Sequence, residues 1–189
     1  MKPAWASFFT ELLAVVLGIV ITFAVQGMID RAQDRKNVRS ALELVREELT
    51  SHMEDISLLQ DHLKQQRLSA HYLENNRDNL DACPEDIVRY HQGVVNADVS
   101  VALSHDALEL LKNSSLFQKV GDNELSLKII SAYDTCDQMA TEMNRFFAAR
   151  DAQPGDPSSW LLDHNPSKFT ETLEIEDAIE AIDDYLKKR

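Results

Sequence analysis

Between Trp5 and Ile29 the chain carries a single charge, Glu11, in a run of apolar and small residues. Of the first 29 residues 20 are apolar. As a helix this 25-residue stretch is ~37 Å long, enough to cross a ~30 Å hydrocarbon layer with some tilt. The pattern predicts a transmembrane helix over residues 8–29, inside an anchor of residues 1–29. A cleaved signal peptide would want a basic leader and a small-x-small cleavage site. Here only Lys2 precedes the run, and Gln26-Gly-Met-Ile-Asp-Arg31 leads straight into a helical pattern. A core helix of a soluble protein seldom runs this long without a polar interruption.

The remaining chain is about 39% apolar, an ordinary value for a soluble domain. Its first apolar positions are Val38, Leu42, Val45, Leu49, Met53, Ile56, Leu59 and Leu63, separated by gaps of three and four. That is helical spacing, close to a heptad seam. No Pro or Gly intervenes between Met28 and Pro84. The span is therefore expected to continue into a stalk helix over residues 30–76, which can pair with a copy of itself or with later helices.

Those later helices have start and stop signals of their own. Asn75 to Asn79 is a turn cluster, and Cys83-Pro84-Glu85-Asp86 opens a further element. Val94 to Leu103 alternates in the manner of a strand, but one short strand makes no sheet, so an extended connector is expected. Ser104 is placed to cap a helix ending at Asn113-Ser-Ser115. Gly121-Asp-Asn123 starts a longer helix carrying Leu125, Ile129, Ile130, Tyr133, Cys136, Met139, Met143, Phe146 and Phe147 at helical spacing. Asp151-Ala-Gln-Pro-Gly-Asp-Pro157 breaks the chain. After it come a short patch (Trp160, Leu161, Leu162, Phe169) and a last helix with Ile175, Ala178, Ile179, Ile182 and Leu186 on one face. The expected fold is all-α: an anchor, a helical bundle over residues 30–150, and a loop and C-terminal helix over 151–189 packed on it.

Charge bounds the partners. Nineteen Lys and Arg against 32 Asp and Glu leave −13, which argues against nucleic acid, whose affinity comes from neutralised phosphates. The charge is uneven. Residues 30–46 hold five bases (Arg31, Arg35, Lys36, Arg39, Arg46) against three acids. They form a basic collar beside the span, with Arg31, Arg35, Lys36 and Arg39 nearest it, and the acid excess lies beyond. By the positive-inside rule this collar places the soluble part in the cytoplasm.

Within the span Thr10, Ala14, Gly18 and Thr22 recur every fourth residue, and small side chains at that spacing let two helices pack closely in lipid. No constellation for catalysis accompanies this. There is no Gly-x-Ser-x-Gly, no Gly-rich phosphate loop and no His-Glu-x-x-His. Glu48 and His52 share a helix face at i,i+4, but no second pair joins them, and such a contact reads as a surface interaction. No metal, cofactor or catalytic residue is assigned. Cys83 and Cys136 can form one disulfide in an oxidising compartment, and Cys136 otherwise reads as core.

Glu11-Leu-Leu-Ala-Val-Val-Leu-Gly-Ile-Val-Ile-Thr22 resembles the opening of a family of bacterial single-span membrane proteins to which no activity is assigned. Leu103-Ser-His-Asp-Ala-Leu-Glu-Leu-Leu-Lys-Asn-Ser-Ser115 and Asp122-Asn-Glu-Leu-Ser-Leu-Lys-Ile-Ile-Ser-Ala-Tyr133 are similar to later stretches of that family. The resemblance implies an inner-membrane protein with its N-terminus inside and its helical domain in the periplasm, opposite to the charge count. Many members have a basic N-terminal tail, where this chain has only Lys2. No catalytic residue is carried over.

The expected function is association, of the chain with itself or with another membrane protein, in a bilayer. The alternative is a tethered enzyme or a ligand- or metal-sensing domain. Its mark would be a polar cavity gathering three or more of His52, His62, His71, His91, His105, Glu48 and Asp55.

Overall fold

The computed structural model describes residues 4–78, 85, 89, 101–154, 158–164 and 172–188, and for residues 4–14 the backbone alone. Cys83, the element expected to open there, most of the 94–103 connector and Phe169 lie outside the described residues. Every regular element described is a helix.

The first, α1 (Ala4–Asn75), has 72 residues and is ~108 Å long. It ends in the Asn75-Asn76 turn cluster, where Asn76 caps it by donating from its side-chain amide to the Tyr72 carbonyl at 2.8 Å. Along α1 the environment changes once. From Val15 to Asn37 nearly every side chain is exposed, and from Val38 onward one face is buried. Val38, Leu42, Val45, Leu49, Ile56 and Leu63 are all under 8% exposed. The heptad-like seam thus packs on later helices of the same chain. This covering leaves it closed to a second copy.

Those helices are α2 (Asp106–Asn113), α3 (Leu116–Lys119), α4 (Asn123–Asp151), α5 (Ser158–Asp163) and α6 (Leu173–Lys188). The break between α3 and α4 falls at Gly121, whose φ of 66° suits a residue without Cβ. Asp122 then caps α4, accepting from the Leu125 N–H at 3.0 Å. Ser104, expected to cap α2, stands one residue too early. His105 holds the cap position, and the Ser104 hydroxyl accepts from the Asp106 N–H at 3.2 Å.

Helix α4 runs in the same direction as α1: Tyr133 meets Glu48, and Met143 packs with Leu63 farther along. Helix α6 returns toward the exposed half of α1. Its Asp183 pairs with Arg46 at 3.1 Å, and its Leu186 carbonyl accepts from Arg39 at 2.9 Å. Ile175, Ala178 and Ile182 of α6 are fully buried. The C-terminal helix is therefore part of the main core, together with Val38 to Ile56, Ile129 and Tyr133. At the far end Leu161 of α5 closes over Ala70 and Leu73.

Candidate functional site

Three features remain once the core is accounted for: a bare apolar segment, a buried polar cluster and the basic collar. The segment runs from Val15 to Ile29. Phe23 is 73% exposed and Met28 70%, and Val15, Val20 and Ile29 are each more than half exposed. This helix is long and apolar enough to cross a membrane, and no described residue covers its apolar stretch from Val15 on. Thr10, Ala14, Gly18 and Thr22 follow one another on its unbroken backbone. A Cβ built on Gly18 would meet nothing within 4 Å. The Thr22 hydroxyl donates to the Gly18 carbonyl at 2.8 Å, so it needs no partner from outside the helix. Of the stripe, Gly18 and Thr22 are exposed.

The polar cluster overturns the surface reading of Glu48 and His52. His52 is 3% exposed and lies in the core. It stands three residues after Leu49 and four before Ile56, so helical geometry puts it on the seam face. Glu48 is half-buried beside it. Its carboxylate accepts from the Tyr133 hydroxyl in a short hydrogen bond, from the Ser104 hydroxyl at 2.8 Å and from the Ala107 N–H at 3.2 Å. His52 Nδ1 lies 3.7 Å from Cys136 Sγ, and His105 packs on the Tyr133 ring at 5.2 Å between centroids. His105 Nε2 is 3.2 Å from Asp137 Oδ1 but out of line for a hydrogen bond.

Burial raises the Glu48 pKa, but the donors from Tyr133, Ser104 and Ala107 and the nearby His52 outweigh it and hold the carboxyl below its ordinary value. Burial holds the His52 imidazole below its ordinary value, against the pull of Glu48. Tyr133 is pushed well up by burial and by its bond to Glu48. Burial and Asp137 push the Cys136 thiol up to about 12. A satisfied carboxylate is a poor base and a protonated thiol a poor nucleophile. The cluster therefore acts as a polar lock between α1, the start of α2, and α4. Three residues of the alternative's list, Glu48, His52 and His105, do gather, but packed on Tyr133. The surface clefts open elsewhere, one of them beside Asp55 and His62. Among the described residues no three His, Cys, Asp or Glu side chains are placed to hold a metal ion. Cys136 is a free thiol.

These shifts set a pH dependence. Glu48 and His52 are both held below their ordinary values, so on the acid side the unfolded chain binds more protons than the folded one. Stability is expected to fall as pH drops below about 6.5, where the unfolded imidazole charges, and again below about 4.5. Cys136 and Tyr133 are shifted up, so stability also falls as pH rises above about 9 and then about 10. Urea midpoints measured across pH check this. His52→Leu should flatten the first acid step and leave the alkaline side unchanged.

The collar divides in two. Arg39 is tied to Glu43 at 3.1 Å and to the end of α6, and Arg46 to Asp183, so both pin helices together. Among the described residues Arg31, Arg35 and Lys36 make no ion pair, and all three are exposed. Comparison with known protein families, curated proteins and solved structures finds no match. The fold class, an all-α bundle on one very long helix, rests on the structure alone.

Proposed function

We propose that the protein is a single-span membrane protein of the bacterial inner membrane. Its helical bundle works by association, with a second copy or another membrane protein, and not by catalysis. One observation carries this reading: the Val15–Ile29 segment is apolar, exposed on all sides and continuous with a helix whose other half packs one face into the bundle. Exposed apolar surface of that extent marks a membrane or protein contact. The resemblance of the Glu11–Thr22 stretch to single-span proteins supports the same reading. With the seam closed inside the bundle, the Thr10, Ala14, Gly18 and Thr22 strip is the surface best suited to helix pairing. Acid–base or thiol chemistry at Glu48, His52 and Cys136 would need a cavity that the packed cluster does not offer.

The test is crosslinking of the full chain in bilayers. The natural protein should give a dimer or a discrete partner adduct, and Gly18→Leu should weaken self-association about tenfold, the equivalent of ~1.4 kcal/mol of lost close packing. Monomers alone, with no partner adduct, would overturn the proposal.

A further inference from the structure

Beside the collar, helices α1, α3 and α6 enclose a cleft of about 660 Å³. Arg35, Lys36 and Arg39 of α1, Lys119 of α3 and Lys188 of α6 line it, over a floor of Val38, Tyr185 and Leu186. Among the described residues no carboxylate lines it. Three acids at this end of the bundle face bases: Asp34 holds Lys119 at 2.7 Å, Glu43 holds Arg39, and Asp184 faces Lys187 and Lys188 at 3.8 and 4.0 Å. Arg35 and Lys36 have no such partner among the described residues. In a chain of net charge −13, Arg35 and Lys36 are thus two cations at one opening that no described acid offsets, with three paired cations beside them.

Position along α1 says what anion is at hand. Arg35 and Arg39 lie six and ten residues past Ile29, ~9 and ~15 Å along the axis. The polar layer outside the hydrocarbon is ~5–8 Å deep, so long Arg and Lys stems at the cleft's rim reach into it. We propose that the cleft holds the phosphate-bearing headgroup of an anionic lipid from the leaflet that α1 leaves. Arg35 and Lys36 grip the phosphate at the rim, while Lys119 and Lys188 close the cleft from the bundle side. The apolar floor takes the start of the glycerol. The inference rests on the membrane reading above and goes beyond it, because it fixes which end of the bundle sits on lipid. The same anionic leaflet repels the acidic body, so the bundle stands off the surface on this one contact.

The experiment uses the full chain in nanodiscs of phosphatidylcholine with 30% phosphatidylglycerol (about 30%, a common anionic fraction), with bound lipid read by native mass spectrometry. The natural chain should retain phosphatidylglycerol in preference to phosphatidylcholine. The Arg35→Gln/Lys36→Gln double variant should lose about tenfold or more of that preference. Both positions are exposed, so its thermal midpoint should be unchanged. Lys64→Gln/Lys112→Gln, on the body, should behave as the natural chain. Equal retention in natural and R35Q/K36Q chains, both inserted, overturns the headgroup site alone. Inorganic phosphate displacing the lipid at equal concentration would assign the cleft to a soluble anion and overturn the lipid source. Failure of the natural chain to enter the nanodisc overturns the membrane reading and this proposal with it.

Discussion

Glu48→Ala lowers the unfolding free energy of the bundle by about 3 kcal/mol, more than any exposed substitution. The carboxylate accepts three hydrogen bonds, from Tyr133, Ser104 and the Ala107 N–H, on two other segments of the chain. Without it the Tyr133 hydroxyl, on a side chain only 1% exposed, loses its acceptor in the core. An orphaned buried polar group costs about 1–3 kcal/mol, and a hydrogen bond to a charge contributes about 1.5–3. For a chain of this size the loss is a fall of roughly 6–12 °C in thermal midpoint. Glu48→Gln keeps an acceptor oxygen and loses the charge, so it should cost about 1 kcal/mol. Thermal unfolding of the full chain in detergent checks the series, with Glu54→Ala as the exposed control. A Glu48→Ala midpoint equal to that of Glu54→Ala would show that the cluster contributes nothing to the lock.

That cluster is also where sequence reasoning stopped. The long helix was legible because its signals are local: an uninterrupted apolar run, then gaps of three and four, then Asn75-Asn76. The expected stalk end at residue 76 and the observed helix end at Asn75 agree for that reason. The Asp122 cap, the break after Asp151 and the Ile175, Ala178 and Ile182 face are local signals too. The seam announced that something covers it. What covers it is set by contacts between residues far apart in the chain, such as Arg46 with Asp183, and periodicity carries no information about those. His52 was the missed signal. Its offsets from Leu49 and Ile56 put it on the buried face, but a polar residue between Leu49 and Met53 reads as solvent-facing unless the offsets are counted. The role of Glu48 depends on Ser104 and Tyr133, on separate elements, and no spacing rule joins the three. The collar behaves in the same way: the sequence shows five bases, and only the fold sorts Arg39 and Arg46, which pin helices, from Arg35 and Lys36, which pair with no described acid.

The second large effect concerns the bare segment. Leu17→Arg together with Ile21→Arg places two charges near the middle of residues 8–29, on one helix face. Each costs ~2.5–3.5 kcal/mol at the centre of a span, so the pair lowers insertion by about 6 kcal/mol, roughly 10⁴-fold. The bundle should be untouched, because these side chains are exposed, with Leu17 at 51% and Ile21 at 56%, and belong to no core cluster. Helicity and thermal midpoint of the variant's soluble part should match the natural chain. Alkaline carbonate extraction of membranes carrying the two chains side by side tests the central claim most directly. The account predicts that the natural chain stays in the membrane pellet, while the L17R/I21R chain moves to the supernatant and shows a folded bundle once returned to neutral pH. A natural chain released by carbonate into the supernatant would contradict it.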